Sequence, residues 1–318
     1  MSSPKLHLAS LLIWRIGVPV TMVSGTFGNI MIVLIQRRLT DGSGSGLSVY
    51  FLALALSDLV ALWCDPIFWF LNSFDIFLYS NWLCKARVFL AYFNAHFSAA
   101  ILVTMTFQRA ASILWPLKAN VHCNEKFARS AMSTLFVLFV VLNSHILYGH
   151  TVHPSPGNGT AECFFSYVSN DYEMFFDDDY GWVDTLFSSL LPFCLLAAAN
   201  CVLVWKVSQS LIQAKRRLIS EHSLHLRSRQ KKSSSMTVTL IAVSIAFVVF
   251  TLPSAVYVNY AKQFSHGQDS DEDIAAANEL MLSLSFVMLF CNKAVNFYVY
   301  CLTGSKYRAE FARMFCQR

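Results

Sequence analysis

Charged side chains are scarce in this sequence. Asp, Glu, Lys and Arg account for 14% of its 318 residues, while hydrophobic residues account for 55%. In a typical soluble domain about a quarter of the residues are charged. The composition therefore favours a protein that lies mostly within a membrane.

Features that would support catalysis or cofactor binding are also missing from the sequence. It has no Cys and His cluster with metal-ligand spacing, no glycine-rich phosphate-binding loop and no nucleophile beside a base. We therefore expect no enzyme activity, no cofactor and no metal. We also expect no nucleic-acid partner.

The main feature of the sequence is a set of seven long apolar segments. About 20 predominantly apolar residues cross a bilayer as a helix, and only helices and closed barrels satisfy every backbone polar group in lipid. Segments such as 135–142 and 238–249 lack the alternation of barrel strands. The sequence predicts an all-α membrane protein, a single seven-transmembrane helix bundle over 1–318. The predicted spans are 11–35, 48–72, 86–107, 130–148, 183–205, 236–260 and 277–302. The first segment has no cleavage site, so we expect a membrane helix there and not a signal peptide.

The polar segments between these spans alternate in charge. Residues 206–232 contain eight Lys or Arg and one acid, and such basic loops stay on the cytoplasmic side, where they contact anionic membrane lipid. This predicts a plasma-membrane protein with an extracellular N-terminus and a cytoplasmic C-terminus. The opposite loops, 162–179 and 269–279, are acidic and would attract a cationic ligand, although a solvated surface has the same composition. Asn158 begins a glycosylation sequon on that outer side.

Motifs along the whole chain resemble those of the rhodopsin-like G-protein-coupled receptors, in the same order and at similar spacing. They are Gly28-Asn29 in span one, Asp58 within Leu54–Leu59 in span two, Cys84 and Gln108-Arg109-Ala110 in span three, Pro116 after it, Pro192 in span five, Phe247 and Pro253 in span six, Asn296 and Tyr300 in span seven, and Lys306-Tyr307-Arg308 after it. The resemblance implies a short amphipathic eighth helix, expected over 304–316. It also implies an extracellular ligand and a heterotrimeric G protein as partners.

Further expectations concern the residues on the outer and inner sides of the membrane. Cys84 and Cys163 face the oxidising outer compartment, so we expect a disulfide that holds the second outer loop over the bundle. Cys316, after the eighth helix, is a candidate for palmitoylation. The positions that the family uses for G-protein coupling and activation are occupied by Arg109, Gln108, Asn200, Asn296 and Tyr300.

Arg109 lacks two restraints that the family commonly provides. Its neighbour is Gln108 instead of an acid, and span six offers Ser233, Ser234 and Ser235 instead of a glutamate. We expect raised basal signalling, because the ion pair that favours the inactive state is absent. The alternative is that other hydrogen bonds hold Arg109 and that basal activity is ordinary.

A polar core is expected in the middle of the membrane, where an isolated charge is costly and is usually paired. In the family this level holds sodium. We hypothesise that the Lys293 ammonium replaces sodium and forms a salt bridge to Asp58. The alternative is that Lys293 turns elsewhere or loses its charge through desolvation. The expected members of this core are Asn29, Asp58, Ser98, Asn292 and Lys293.

The ligand class follows from departures within the family. Ala91 replaces the aspartate of amine receptors and Phe290 replaces the retinal lysine of opsins, which disfavours both of these classes. Pro66, the long second outer loop after Cys163 and Phe250-Thr251-Leu252-Pro253, which lacks the usual tryptophan, together resemble divergent invertebrate neuropeptide receptors. We expect a small cationic or amidated neuropeptide as ligand. The alternatives are a chemosensory receptor for a small molecule and, disfavoured by the lack of internal repeats, a transporter. Candidate ligand contacts, each also compatible with packing or lipid contact, are Trp69, Tyr92, Asp184, Tyr257, Val258 and Phe286.

Overall fold

The computed structural model of the chain describes residues 3–40, 46–76, 80–154, 161–162, 166–217, 224–264 and 272–316. Seven helical segments within these ranges are long and apolar enough to cross a membrane, which confirms the predicted all-α, seven-helix bundle. In chain order they are Ser3–Leu12 with Ile13–Gly17 and Val18–Thr40 (span one), Gly46–Cys64 with Pro66–Asn72 (span two), Asn81–Leu114 (span three), Glu125–Asn143 with Ile146–Gly149 (span four), Asn170–Met174 with Phe175–Tyr180, Gly181–Thr185, Leu186–Leu190 and Leu191–Arg217 (span five), Leu224–Phe264 (span six) and Glu272–Thr303 (span seven).

Shorter elements connect or follow the spans. Helix Pro116–His122 follows span three, and helix Ser305–Cys316 lies where the eighth helix was expected. Strands β1 (His153–Pro154) and β2 (Ala161–Glu162) pair antiparallel in the second outer loop. We call the bundle end near Cys84 the outer end and the end near Arg109 the inner end, following the predicted topology.

Span five begins earlier than its apolar residues suggest. We predicted a start at 183, whereas the helix begins at Asn170. The Ser169 hydroxyl accepts a hydrogen bond from the Tyr172 backbone N–H at 3.2 Å and caps the helix. Asp171 and Glu173 lie in its first turn, where carboxylates favour the positive end of the helix dipole. Polar residues that suggested a loop therefore extend the helix outward.

The main core cluster lies where spans two, three, six and seven meet. Its aromatic rings interlock, with Phe51 and Tyr300 centroids 5.0 Å apart in an edge-to-face arrangement. Span three is central, whereas span four exposes large apolar side chains such as Phe136 and Val141 on the surface of the bundle, as expected for a helix that faces lipid. Buried members of the cluster include Tyr50, Phe51, Ile101, Met105, Leu240, Phe247 and Tyr300.

Span one packs closely against spans two and seven at Gly25. A Cβ atom at this position would lie 2.6 Å from Leu62 Cδ1 and 2.9 Å from Ala294 Cβ. Small residues allow membrane helices to approach closely, because lipid offers no hydrophobic driving force for their association. This contact fixes span one beside the part of span seven that carries the polar core.

Candidate functional site

A cavity of about 820 Å³ lies in the outer half of the bundle between spans two, three, five, six and seven. Four of the predicted ligand contacts line it: Tyr92, Asp184, Tyr257 and Phe286. Trp69 is not among the lining residues, because it packs behind Phe286, with ring centroids 5.2 Å apart. The side chain of Val258 lies outside the described part of the chain.

Span three presents small side chains to the centre of this cavity. Ala91, Ala95 and Ser98 line the wall, and their spacing of four and three residues places them on one face of the helix. Ala91 stands where amine receptors hold a charge, so the charges that a ligand meets must come from other spans.

The span-five wall is acidic. Glu173, Asp177, Gly181, Asp184 and Ser188 all line the cavity, and intervals of three or four residues place them along one helical face. A ligand approaching the cavity therefore meets a line of carboxylates.

Tyr167 reinforces the acidic wall from the second outer loop. Its hydroxyl donates to Asp177 Oδ1 at 3.3 Å. Burial and the neighbouring Asp177 carboxylate raise the pKa of Tyr167, so the phenol keeps its proton and remains a donor.

Asp184 contacts a buried polar network that sequence reasoning missed. The Nε2 atom of the fully buried His96 lies 3.0 Å from Asp184 Oδ1, and its Nδ1 atom lies 3.3 Å from Asn143 Nδ2. Tyr180 donates to the Asn143 Oδ1 atom at 2.5 Å. Asp184 was expected only as a candidate ligand contact, and the structure adds a fixed protein partner.

The network determines which His96 nitrogen carries the proton. Asn143 Nδ2 donates to the Phe139 carbonyl at 2.6 Å, which fixes the amide orientation. An amide nitrogen only donates, so the facing His96 Nδ1 must accept, and the proton resides on Nε2. His96 Nε2 is then the donor to Asp184 Oδ1, and this bond fixes the Asp184 side chain at the cavity wall.

The predicted polar core lies at the inner end of the cavity and below it. Lys293, only 7% exposed, donates to the Ser98 hydroxyl, and its Nζ lies 3.5 Å from Asp58 Oδ1. Asn296 Nδ2 donates to Asp58 Oδ2 at 2.7 Å. The Lys293 carbonyl accepts from Asn29 at 2.9 Å. Asn292 and Lys293 line both the cavity and a smaller pocket of about 10 Å³ below it, whereas Asp58 lines only the smaller pocket.

Arg109 is held at the inner end by span six. Its Nε and Nη2 atoms each donate to Thr237 Oγ1 at 3.2 Å. Gln108 instead turns to the Cys123 carbonyl at 3.1 Å. A hydroxyl of span six therefore contacts Arg109, whose usual acidic neighbour is absent, and the level of basal activity stays a prediction.

A second set of contacts ties span six to the end of span seven. Ser235 Oγ donates to the Thr303 carbonyl at 3.1 Å and accepts from the Ser305 backbone N–H at 3.3 Å. Thr303 Oγ1 donates to Thr239 Oγ1 at 2.8 Å. Moving the inner end of span six outward would break all of these bonds.

Asn200 and Tyr300 are not joined to each other. Within the described ranges neither Asn200 Oδ1 nor the Tyr300 hydroxyl has a hydrogen-bond partner. Tyr300 is fully buried and packs against Phe51 and Tyr307, with centroids 5.0 and 5.1 Å away. Packing, and not a polar bridge, holds Tyr300 in this conformation.

Three predicted modification positions involve residues outside the described ranges. Cys84 takes part in a disulfide, but Cys163 lies outside these ranges, so the pairing stays a prediction. Asn158 also lies outside them, as does the side chain of Cys316.

A buried ion pair at the outer end was also missed. Arg87 Nε lies 2.9 Å from Asp65 Oδ1, and Arg87 is 5% exposed. The Trp69 indole N–H donates to the other Asp65 oxygen at 3.3 Å. Asp65 follows Asp58 by seven residues, which places both on one face of span two and could have revealed the inward-facing acid.

Comparisons with known proteins agree with this architecture. The family model described as 7 transmembrane receptor (rhodopsin family) matches residues 28–300. Chemerin-like receptor 2 of Rattus norvegicus is 24% identical over 269 residues, which cover 83% of this chain and 68% of that receptor. Sex peptide receptor-related protein 2 of Caenorhabditis elegans is 26% identical over 230 residues, or 68% of this chain and 50% of that protein. Type-1 angiotensin II receptor of Canis lupus familiaris is 19% identical over 299 residues, which cover 93% of this chain and 78% of that receptor.

Proposed function

The chain belongs to the rhodopsin family of seven-transmembrane receptors, and on this premise we propose that it binds a small cationic or amidated peptide and activates a heterotrimeric G protein. Family membership makes it a multi-pass membrane receptor for an extracellular ligand, and not an enzyme. The peptide class, the G-protein step and an outward-facing N-terminus are parts of the proposal.

The acidic wall of the cavity carries the peptide proposal. Glu173, Asp177 and Asp184 follow one face of span five from the outer end inward. Carboxylates arranged along a concave wall raise the local concentration of a cation and favour a ligand of complementary charge. A relative named for the sex peptide receptor agrees with a peptide ligand.

The contacts of Arg109 support the signalling part of the proposal. Arg109 donates two hydrogen bonds of 3.2 Å to the Thr237 hydroxyl on span six. An outward swing of span six would release the guanidinium to a G protein. Ligand binding then shifts a two-state equilibrium, to the extent that the ligand prefers the open state.

Recruitment of G protein to the expressed receptor tests this function. The receptor is exposed to a pool of cationic neuropeptides that includes both amidated and free-acid C-termini, with Arg109→Ala as the control and surface expression matched. We expect peptide-dependent recruitment that is lost in the variant. Recruitment that persists in Arg109→Ala, or none in the wild type at verified surface expression, contradicts the proposal.

A small-molecule ligand is the second candidate, because the cavity volume supports it. A volume of about 820 Å³ falls within the roughly 300–1,000 Å³ of small-molecule sites. Two observations would establish this chemosensory function. The receptor would respond to a panel of small odorants and to no peptide, and it would be expressed in sensory cells. Membership of a receptor family leaves no support for the transporter hypothesis.

A further inference from the structure

Lys293 presents an ammonium group to the ligand cavity while its acidic partner stays behind it. Lys293 lines the large cavity, whereas Asp58 lines only the small pocket below. A ligand at the inner end of the cavity therefore meets the positive side of this ion pair first.

The hydrogen-bonding capacity of this ammonium is not filled by the described residues. An ammonium has three N–H donors. Lys293 gives one to Ser98, and its Nζ lies 3.5 Å from Asp58 Oδ1, which is long for a hydrogen bond. Buried charges are stable when their donors and acceptors are satisfied, so an anionic oxygen in the cavity would complete this site.

Asp184 lies on the opposite wall and carries the opposite charge. Its contact with His96 Nε2, at 3.0 Å, fixes the position of the carboxylate. Asp184 itself lines the cavity, and its partner His96 on span three is also bonded to Asn143.

Span three determines how these two charges are arranged. His96 and Ser98 are two residues apart, which corresponds to a rise of about 3 Å and a rotation of about 200° in an α-helix. Asp184 contacts the first and Lys293 the second, so the charges lie at similar depth on opposite flanks of span three. Ala91 and Ala95 face the space between them, and the separation is on the order of a helix diameter, about 10 Å.

We propose that Lys293 and Asp184 form a two-pole subsite, in which Lys293 binds a carboxylate and Asp184 binds a cation of the same ligand end group. A basic amino-acid residue with a free α-carboxylate carries both charges at such a separation. It can come from the C-terminus of a peptide or from a free basic amino acid. The inference rests on the proposed function for its cavity, and it assigns the inserted end a free carboxylate in place of an amide.

Thermal unfolding of the purified full-length receptor tests the subsite without the natural ligand. The probes are Nα-benzoylarginine, its amide, which lacks the carboxylate, and Nα-benzoylcitrulline, which lacks the cation. Free arginine distinguishes an amino-acid source from a peptide end. We expect benzoylarginine to raise the melting temperature at concentrations about tenfold or more below those needed for the amide or the citrulline compound.

Variants assign each charge to its pole. Lys293→Met is expected to abolish the preference for acid over amide, and Asp184→Asn the preference for arginine over citrulline. The double variant Asp58→Asn/Lys293→Met removes the risk that an unpaired Asp58 prevents folding, and it should also lose the acid preference. Lys85→Met, outside the cavity lining, is the matched control and should retain both preferences.

Several outcomes would overturn the subsite. They are equal stabilisation of the wild type by acid and amide, a preference that survives in both Lys293 variants, and no stabilisation by any probe at millimolar concentration. The experiments can refute the subsite and the peptide-receptor function independently of each other. Selective binding without G-protein recruitment contradicts the function alone, whereas recruitment by peptide amides with no preference for the free acid contradicts the subsite alone.

Discussion

The contact between Arg109 and Thr237 predicts that Thr237→Val raises ligand-free signalling. Valine has nearly the volume of threonine but lacks the hydroxyl that accepts both guanidinium N–H groups. Thr237 is 1% exposed, so water does not readily replace the lost acceptor. The substitution therefore removes a bond between spans three and six and leaves the packing of the core largely intact.

The size of the effect follows from the hydrogen bonds. A hydrogen bond to a charged group contributes about 1.5–3 kcal/mol, and N···O distances of 3.2 Å are at the long end of the usual range. We take about 1.5 kcal/mol, which is close to a factor of ten in an equilibrium constant. If the active state is populated to about 1% at rest, as minor states commonly are, Thr237→Val raises it to roughly 10%.

Basal G-protein recruitment at matched surface expression measures this change. Thr237→Ser keeps the acceptor and is expected to remain close to the wild type. Thr104→Val is a control for the substitution itself, because Thr104 only donates to the Ala100 carbonyl of its own helix at 2.8 Å. Basal recruitment unchanged in Thr237→Val, or raised equally in Thr237→Ser, refutes the reasoning. Wild-type recruitment equal to that of Arg109→Ala would show that the resting receptor is silent.

Three further predictions concern charges and modification. Lys293→Ser frees the Asp58 site for sodium, so sodium should lower basal signalling in the variant and not in the wild type; no sodium response in either contradicts the built-in salt bridge. Arg87→Met leaves Asp65 buried and unpaired and should destabilise the receptor by about 3–5 kcal/mol, measured by thermal unfolding, while adding Asp65→Asn restores most of the loss. Asn158→Gln should remove a glycosidase-sensitive shift in electrophoretic mobility, and an unchanged shift would mean that the sequon is not used.

Helix number and type could be predicted from the sequence because seven segments exceed the length that a bilayer requires. The boundaries could not, because apolar composition marks where lipid is and not where a helix ends. Span five shows the difference. Ser169 caps a helix whose first turns are acidic, so the helix continues beyond the apolar residues and carries the carboxylates into the cavity wall.

The site was predictable only where residues share a helix or a family motif. Position in the motif pattern predicted that Asp58 and Lys293 would lie close together, and the structure places them 3.5 Å apart. The pairing of His96 with Asp184 had no such signal, since the residues are 88 positions apart on different spans. Periodicity indicates which face of a helix is inward, but the neighbour that it meets depends on the packing of the whole bundle.

The cavity and the inner contacts are linked through one face of span seven. Lys293, Asn296, Tyr300 and Thr303 follow each other at intervals of three or four residues, from the cavity wall to the hydroxyl that bonds to Thr239 on span six. If ligand binding and span-six opening belong to one equilibrium, a change at either end must appear at the other. The apparent dissociation constant of an agonist varies inversely with the competent fraction. The tenfold rise in the active state expected for Thr237→Val should then increase agonist affinity by about tenfold, although Thr237 lies far from the cavity. An unchanged affinity beside raised basal recruitment would mean that the inner contacts restrain G-protein access alone and not the state that binds ligand.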